Sequence, residues 1–351
     1  GGKVNSIHTT IYSAGEVAIN DGEIVCNGLA GITTHTLYVL SAGSATVNGG
    51  SITHTAKDQN ATGASSINGA IVVNAGVIIG RVENYYGTPV IKGGIFTENP
   101  VKYVVEGFSA CQNAEGKWEV KSNAVILTEK LAQGGTVKLE EDLVIAEPIY
   151  VAEGVEAVLD LNGKTIIGTM HKNVGAVVKN DGSLKVVNGT LKSAANNGGS
   201  AIVNNGSVEL INVTLNGAPN ADGSWPSYTV NNTGAMTLNG CLITSYHGAL
   251  ASYGEGAVAT LDDCEIDMVG IKGFTSHGVY TYNSGKVVIN SGVYANKAAD
   301  QNATGASVIN GAVEINGGTF TGRIENYYGT PVIKGGTFSV NPSKYVVEGY
   351  L

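Results

Sequence analysis

Short runs in which apolar and polar residues alternate recur along the chain, and each run ends in Asn-Gly or Gly-Gly. Two examples are Gly182–Leu191 and Gly311–Phe320, in which a second glycine follows seven residues after the first. Such alternation predicts half-buried β-strands. The first apolar positions of successive runs lie 19 to 29 residues apart over 137–332. These anchor positions are Val137, Val158, Leu184, Val208, Met236, Val258, Val287, Val313 and Val332.

A steady coil of about 24 residues favours a solenoid, in which each coil stacks on the previous one. The alternative is a β-sandwich with strands every 8–12 residues. A β-sandwich does not require the same order of glycine and apolar positions in so many successive segments. We therefore predict an all-β parallel solenoid, in which only the terminal coils have edges to protect.

The chain also contains a second repeat, which is much longer than one coil. The twelve residues Glu83–Gly94 recur unchanged as Glu325–Gly336, and Asp58–Gly107 agrees with Asp300–Gly349 at 37 of 50 positions. An offset of 242 residues is too long for one structural repeat, so it indicates a tandem copy of a whole domain. We assign 1–110 to the C-terminal part of a first copy, where its capping hairpin begins, and 111–351 to the second copy.

Segments with a different pattern separate the two copies, and they predict caps. Residues 102–120 carry Tyr103, Phe108 and Trp118 around a polar turn, which predicts a β-hairpin that closes the end of the first copy. A short helix should follow, with Thr128 as its N-cap and Gly134 at its end.

The composition excludes several classes of structure and function for this chain. Glycine is 50 of 351 residues with only 7 prolines, and 43% of residues are apolar, which excludes collagen and argues against disorder. The net charge is −9 with no basic run, so nucleic acid is not an expected partner. No stretch approaches 18 apolar residues, so we expect no membrane span. Because the chain opens partway through a copy, we expect it to be a segment of a longer protein.

Two groups of polar residues are candidates for structural roles. Cys241 and Cys264 take the glycine position of neighbouring coils, which predicts a packed thiol pair rather than a disulfide. Several asparagines precede coil turns and are predicted to stack as a hydrogen-bonded ladder. They are Asn180, Asn205, Asn232, Asn283 and Asn310.

The coils Gly311–Phe320 and Gly285–Tyr294 resemble right-handed parallel β-helices of the pectin-lyase-like class. The segments Leu127–Leu139 and Gly335–Tyr350 also resemble parts of large repetitive bacterial surface proteins, and similar domains occur on phage appendages. The resemblance implies a right-handed parallel β-helix, an extracellular or cell-surface location and a role in adhesion. Lyases of this class use an arginine as base near bound calcium, which leaves an enzymatic interpretation open.

The only two arginines in the chain occupy equivalent positions in the two copies. Strand parity places each arginine on the outer face together with a glutamate and a tyrosine. An exposed tyrosine can stack on a sugar ring while the charged pair binds hydroxyl groups or a uronic carboxylate. The alternative is an ordinary ion pair on a solvated face. The glycan-binding candidates are Arg81, Glu83, Tyr85, Arg323, Glu325 and Tyr327.

The densest acidic cluster contains Asp262, Asp263 and Glu265. Two interpretations stay open for it: a Ca²⁺ site, since calcium requires six to eight oxygens, or a solvated acidic turn. We expect no other metal or cofactor. His35 and His277 match between the copies, and without a paired carboxylate we interpret them as turn or packing residues.

The leading hypothesis is a structural and adhesive stalk module at the cell surface, whose partners are host or environmental glycans or neighbouring copies of itself. The first alternative is a polysaccharide lyase or glycosidase, which needs one cleft with convergent charged groups. The second alternative is a phage fibre or another virion appendage.

Overall fold

The computed structural model is a parallel β-solenoid of about 11 turns, with 52% of residues in strands. This confirms the predicted all-β solenoid with stacked parallel coils. The structure describes residues 1–29, 31–40, 42–56, 65–171, 175–271, 273–298 and 305–350. The chain divides into two compact units, Gly1–Asn123 and Ala124–Leu351. No helix in the described ranges is long and apolar enough to cross a membrane.

The first unit has three strands per turn, and these stack into three parallel sheets with the orders β1-β4-β7-β10-β13, β2-β5-β8-β11 and β3-β6-β9-β12. Two antiparallel strands, β15 and β14, extend the first sheet. The strands of this unit are β1 Lys3–Ser6, β2 Thr9–Ser13, β3 Glu16–Ile19, β4 Glu23–Cys26, β5 His35–Val39, β6 Ser44–Val47, β7 Ser51–His54, β8 Ser65–Asn68, β9 Ile71–Val73, β10 Val77–Ile79, β11 Val82–Glu83, β12 Val90–Ile91, β13 Gly94–Phe96, β14 Phe108–Gln112 and β15 Trp118–Ser122.

The second unit has the same coil architecture. Its first strands are β16 Gly135–Lys138, β17 Leu143–Ile145, β18 Ile149–Val151, β19 Glu156–Asp160, β20 Thr165–Gly168, β21 Ala176–Asn180, β22 Ser183–Ser193, β23 Ser200–Asn204, β24 Ser207–Asn216, β25 Tyr228–Asn232, β26 Ala235–Asn239 and β27 Leu242–Ser245. The later strands are β28 Gly248–Tyr253, β29 Val258–Asp262, β30 Cys264–Met268, β31 His277–Tyr282, β32 Lys286–Ile289, β33 Gly292–Asn296, β34 Ser307–Asn310, β35 Val313–Ile315, β36 Thr319–Thr321, β37 Ile324–Glu325, β38 Val332–Ile333 and β39 Thr337–Phe338. Strand β22 pairs with both β19 and β20, and strand β24 pairs with both β26 and β27. Each of these two long strands therefore does the work of two shorter strands in a neighbouring coil.

The predicted caps are present, with one correction. Strands β14 and β15 form the expected hairpin, residue 110 lies in β14, and the first compact unit runs through Asn123. Helix α1 is Asn123–Leu131, so Thr128 lies inside it and is not its N-cap. The Thr128 hydroxyl instead accepts a hydrogen bond from the backbone N–H of Tyr150, at 3.0 Å. Gly134 follows the helix in the left-handed conformation, as predicted.

The core of each unit is the column of inward-facing apolar side chains inside the coils. Most predicted anchors belong to it, but the register differs by one residue in some coils. Val258 is exposed and its neighbour Ala259 is buried, and Val332 and Ile333 show the same difference. The turns between coils vary in length, so the first apolar residue after a turn is not always the one that faces inward.

A buried ladder of amide side chains lies inside the second unit. The Asn180 amide donates to Asn204 Oδ1 at 2.7 Å, and the Asn204 amide donates to Asn232 Oδ1 at 2.8 Å. The Asn232 amide continues the ladder to the hydroxyl of Ser252, at 3.2 Å. The predicted ladder is therefore confirmed only in part, because its middle member is Asn204 and not the exposed Asn205. Asn283 is exposed in a left-handed turn, and the register partner of Ser252 is Thr281. Asn310 is buried and accepts a hydrogen bond from the backbone N–H of Tyr327.

The predicted thiol pair is also present. Cys241 and Cys264 are buried, free cysteines in neighbouring coils. Their thiols donate to backbone oxygens, that of Cys241 to Leu210 O at 3.4 Å and that of Cys264 to Asp262 O at 3.3 Å. The two residues that follow them, Leu242 and Glu265, are register partners in the parallel sheet. The pair therefore fills the space that glycines leave in other coils.

Candidate functional site

The predicted arginine–glutamate pairs form in both units. The Nη2 atom of Arg81 lies 3.2 Å from Glu83 Oε1, and the corresponding distance from Arg323 to Glu325 is 3.5 Å. The glutamates are not exposed as predicted, because each side chain is only 18% accessible. Strand β11 pairs Glu83 directly with the fully buried Asn68, so the carboxylate lies against the sheet and does not project into solvent.

Burial shifts the pKa of these carboxyl groups. It raises the pKa of Glu83, and the Arg81 guanidinium opposes part of that rise. Burial likewise raises the pKa of Glu325, with Arg323 opposing. The second oxygen, Oε2, of each glutamate is buried and makes no hydrogen bond within the described ranges. Each pair is therefore a partly desolvated charge pair with one unused acceptor, which differs from a solvated surface ion pair.

The third predicted residue is exposed in both units. The side chains of Tyr85 and Tyr327 are 68% and 74% accessible. Their backbone N–H groups donate to the side-chain oxygens of Asn68 and Asn310, at 2.9 and 3.1 Å. These hydrogen bonds fix the backbone while the rings project away from the fold, so this part of the prediction is confirmed.

Sequence reasoning missed a group of stacked aromatic rings in the first unit. The Tyr38 ring lies 5.4 Å from the ring of Tyr12 and 4.6 Å from that of His35, in both cases nearly parallel. The Tyr86 ring meets the Tyr38 ring edge-on at 5.9 Å. Tyr12 and Tyr86 are largely exposed. We call these four residues the first platform.

The second unit contains a similar arrangement, which we call the second platform: Tyr228, His277, Tyr280 and Tyr328. It differs at one position, because Tyr228 is half-buried and β28 lies between its strand and that of Tyr280, whereas Tyr12 is exposed and is the register partner of Tyr38. Tyr280 stacks on Tyr228 at 5.7 Å and on His277 at 4.8 Å, and Tyr328 meets it edge-on at 5.8 Å. These distances reproduce those of the first platform closely. Three of the four positions are related by the 242-residue offset, but the partner of Tyr12 is not.

A local irregularity of the strands places the histidine and the tyrosine on one side. Residues three apart on a regular strand face opposite sides of the sheet. The pairing of β5 with its neighbours skips Thr36, and the pairing of β31 skips Gly278. The alternation is interrupted at that residue, but the register is the same on both sides of it, so neither strand contains the extra residue of a β-bulge. A signal was present in the sequence, since His-x-x-Tyr occurs at both 35–38 and 277–280.

The two histidines are packing residues, as predicted. Each ring is 7% exposed and its Nδ1 lies 2.7 Å from a serine hydroxyl, that of Ser65 for His35 and that of Ser307 for His277. Burial lowers the pKa of His35 to about 4, assisted by the nearby His54. Burial also lowers the pKa of His277 to about 4. Both imidazoles are therefore neutral at pH 7.

These pKa shifts predict acid sensitivity. The folded pKa lies below the ordinary value of 6.5, so the unfolded chain binds more protons between pH 6.5 and 4, and stability falls as the pH drops through this range. His277 should account for a loss of about 3 kcal/mol between pH 7 and pH 4. Urea unfolding of the second unit against pH should show that His277→Gln removes this part of the decline. Parallel profiles for the two proteins would contradict the prediction.

One residue of the acidic cluster, Asp262, has a structural role. Asp262 Oδ1 accepts a hydrogen bond from the side chain of Asn290 at 2.8 Å, and Asn290 accepts one from Asn316 at 2.9 Å. Asp262 thus begins an exposed amide ladder, while Asp263 takes the left-handed turn that follows β29. Glu265 is exposed on β30. In the part of the chain that the structure describes, no three His, Cys, Asp or Glu residues are grouped to hold a metal ion.

No protein-family model matches the chain, and no curated protein or solved structure matches it. The class of the protein therefore comes from its own fold, a repetitive parallel β-solenoid. Within that fold the most distinctive surface feature is a platform of stacked rings that occurs once in each unit.

Proposed function

We propose that the chain is a structural and adhesive module of an extracellular or cell-surface protein, and that it binds glycans through its two platforms. The observation that carries the proposal is the repetition of one ring arrangement in two units of the same chain. The resemblance of the segments Leu127–Leu139 and Gly335–Tyr350 to parts of repetitive bacterial surface proteins supports the location and the adhesive role.

The chemistry of the platforms suits sugars. Tyrosine has a flat apolar ring that covers the C–H face of a pyranose and a hydroxyl group that hydrogen-bonds to it. Tyr12 is 64% exposed and Tyr86 is 51% exposed, so their rings are available to a ligand. Tyr86 is close in sequence to Arg81, whose side chain is 38% accessible and whose guanidinium suits sugar hydroxyl groups or a carboxylate.

Two similar sites in one chain favour multivalent capture. A glycan chain or a glycan-coated surface that engages one platform raises the effective concentration at the other, so weak individual sites add up to firm attachment. A solenoid suits this role because each added coil needs contacts only with its neighbours. The proposal therefore expects weak binding of free monosaccharides and stronger binding of polysaccharides or immobilised glycans.

Each unit carries two adjacent exposed tyrosines, one in the platform and one outside it, and replacing them separately tests the proposed site. We expect the double variant Tyr86→Ala/Tyr328→Ala to lose at least about tenfold in glycan affinity, because each substitution removes the exposed edge of a platform. Binding is measured on a glycan array and then by calorimetry with the best ligand. Tyr150→Ala is the control, because this exposed tyrosine donates a hydrogen bond to Asp181 and belongs to neither platform.

A second double variant, Tyr85→Ala/Tyr327→Ala, locates the site more closely. If only this variant loses affinity, the binding residues are the predicted arginine–glutamate–tyrosine rows and not the platforms. Full affinity in both double variants would remove the proposed site altogether. Release of unsaturated or reducing ends from uronic-acid polysaccharides would indicate a lyase or glycosidase, and a stable trimer in light scattering would indicate a fibre.

A further inference from the structure

A further cluster of rings lies beside the second platform, in the turns that precede its strands. The Trp225 ring meets the ring of His247 at 4.9 Å and that of Phe274 at 5.6 Å, both edge-on. The His247 ring in turn lies 5.1 Å from the ring of Tyr228, which belongs to the second platform. We call Trp225, His247 and Phe274 the tryptophan cluster. Ring contacts therefore run from this cluster into the platform.

The turn that carries Trp225 is fixed to the coils on both sides of it. The backbone N–H of Ser227 donates to the Gly198 oxygen of the preceding coil, at 2.8 Å. In the following coil, His247 Nδ1 lies 2.8 Å from the backbone oxygen of Pro226. The Trp225 side chain is nevertheless 48% exposed. A large exposed ring on a fixed turn loses little conformational entropy when a ligand covers it.

A glycine on β28 allows the tryptophan cluster to connect with the rest of the platform. Tyr228, Gly248 and His277 are aligned in register across β25, β28 and β31. A Cβ atom at Gly248 would lie 2.1 Å from Cδ1 of Tyr228, so the tyrosine ring lies directly over the glycine. The ring thereby stacks on that of Tyr280, two strands further along the sheet, at 5.7 Å.

The rings continue beyond the platform at the other end of β31. The Tyr282 ring lies 5.4 Å from that of Tyr280 and stacks on the ring of its register partner Tyr253 at 4.7 Å. Strand β31 spans about 17 Å from His277 to Tyr282, and Phe274 lies in the turn before it. A row of rings thus follows the whole strand. We call this row the aromatic strip, and it consists of the tryptophan cluster, the second platform, Tyr253 and Tyr282.

The first unit has a shorter row of rings. At the positions related by the 242-residue offset, Ile32 takes the place of Phe274 and Leu40 takes the place of Tyr282. Aliphatic side chains therefore replace rings on both sides of the first platform, and the two units offer ligand surfaces of different length.

The strands beneath the aromatic strip carry no ionisable acid or base. None of the residues of β25, β28 and β31 is Asp, Glu, Lys or Arg. A charged ligand would lose part of its hydration over these strands without gaining a charged partner on them. The strip therefore favours an uncharged ligand.

We propose that the aromatic strip binds a linear, uncharged glycan of several sugars with equatorial hydroxyl groups, such as β-1,4-linked glucose. Sugars of this kind present only C–H bonds on their faces, which aromatic rings cover well. The inference rests on the proposed function, and it adds a ligand class, Trp225 as a binding residue and a preference of the second unit for longer chains.

The test compares β-1,4-linked glucose oligomers of two and six sugars by calorimetry. The full chain carries Tyr86→Ala, so that the first platform contributes less to the measured binding. We expect Trp225→Ala to weaken binding of the six-sugar oligomer at least about tenfold and that of the two-sugar oligomer less than about twofold, because only the longer chain reaches from the platform to Trp225. Ile32→Ala, at the first-unit equivalent of Phe274, is the control and should change neither affinity.

Tryptophan fluorescence gives a second measurement. The chain has two tryptophans, so Trp225→Phe leaves only Trp118, on β15 of the first unit. The six-sugar oligomer should change the emission of the parent chain and not that of Trp225→Phe. A change that persists in this variant would contradict the assignment of Trp225.

The outcomes separate this inference from the proposed function. If Trp225→Ala weakens both oligomers equally or neither, while Tyr86→Ala/Tyr328→Ala still loses glycan binding, the aromatic strip is wrong and the proposed function stands. Tighter binding of another class, such as galacturonic-acid oligomers, overturns the assigned ligand. A parent chain that binds no glycan contradicts both proposals.

Discussion

Replacing Asn204 with leucine is expected to lower the free energy of unfolding of the second unit by about 3 kcal/mol. The Asn204 amide is fully buried and donates to Asn232 Oδ1 and to the backbone oxygen of Ala235, at 2.8 and 3.0 Å. It also accepts from the Asn180 amide at 2.7 Å. Leucine has a similar size, so the loss arises from polar groups left without a partner inside the coil and not from a cavity.

The neighbouring residue provides the control for this prediction. Asn205 is exposed, and its amide donates to Asp181 Oδ1 at 2.7 Å on the outer ladder. Water can replace that partner, so Asn205→Leu should cost less than about 1 kcal/mol. Both free energies come from urea unfolding followed by circular dichroism. Equal losses in the two variants would show that the buried ladder does not stabilise the coils.

Replacing Gly234 with alanine is expected to destabilise the second unit by about 3 kcal/mol. A Cβ atom at this position would lie 2.0 Å from the backbone oxygen of Gly206 in the preceding coil and 2.7 Å from that of Asn205. Neither atom belongs to a flexible side chain, so only a shift of the backbone between two stacked coils can relieve the overlap. Glycine is needed here because the coils approach each other so closely.

Gly15→Ala is the matched substitution, because a Cβ atom at Gly15 has no neighbour within 4 Å and its φ angle is not positive. Alanine there should be neutral or stabilise the first unit by less than about 1 kcal/mol. Unfolding transitions of both variants are compared with those of the parent chain. A Gly234→Ala protein as stable as the parent would mean that neighbouring coils can separate easily.

The two platforms and the buried ladder show how one coil architecture serves two purposes. Inside the coils, amides such as Asn204 bond to the next coil and hold the stack together. On the outside, the Tyr38 ring stacks on that of Tyr12 at 5.4 Å, and the Tyr280 ring stacks on that of Tyr228 at 5.7 Å. Repetition of coils therefore produces both the stable support and the repeated ligand surface that the proposed function needs.

Part of the candidate site was predictable and part was not. The exposure of Tyr85 follows from its place next to a turn, and the pairing of Arg81 with Glu83 follows from their spacing of two residues in an extended segment. The burial of Glu83 does not, because it depends on which residue of the preceding coil lies beside it. The platforms were missed because their rings come from different coils, and Tyr12 meets Tyr38 only after the coils have stacked.

The sequence by itself determined the alternation within each strand, the glycines at the turns, the tandem copies and the capping hairpin. These features are local, since side-chain parity and backbone sterics act over a few residues. The tertiary structure decided the register between coils, and with it the inward position of Ala259 and the stacking of the platforms. The physical reason is that a one-residue change in turn length moves a side chain to the opposite face, and only packing against the neighbouring coil selects between the two faces.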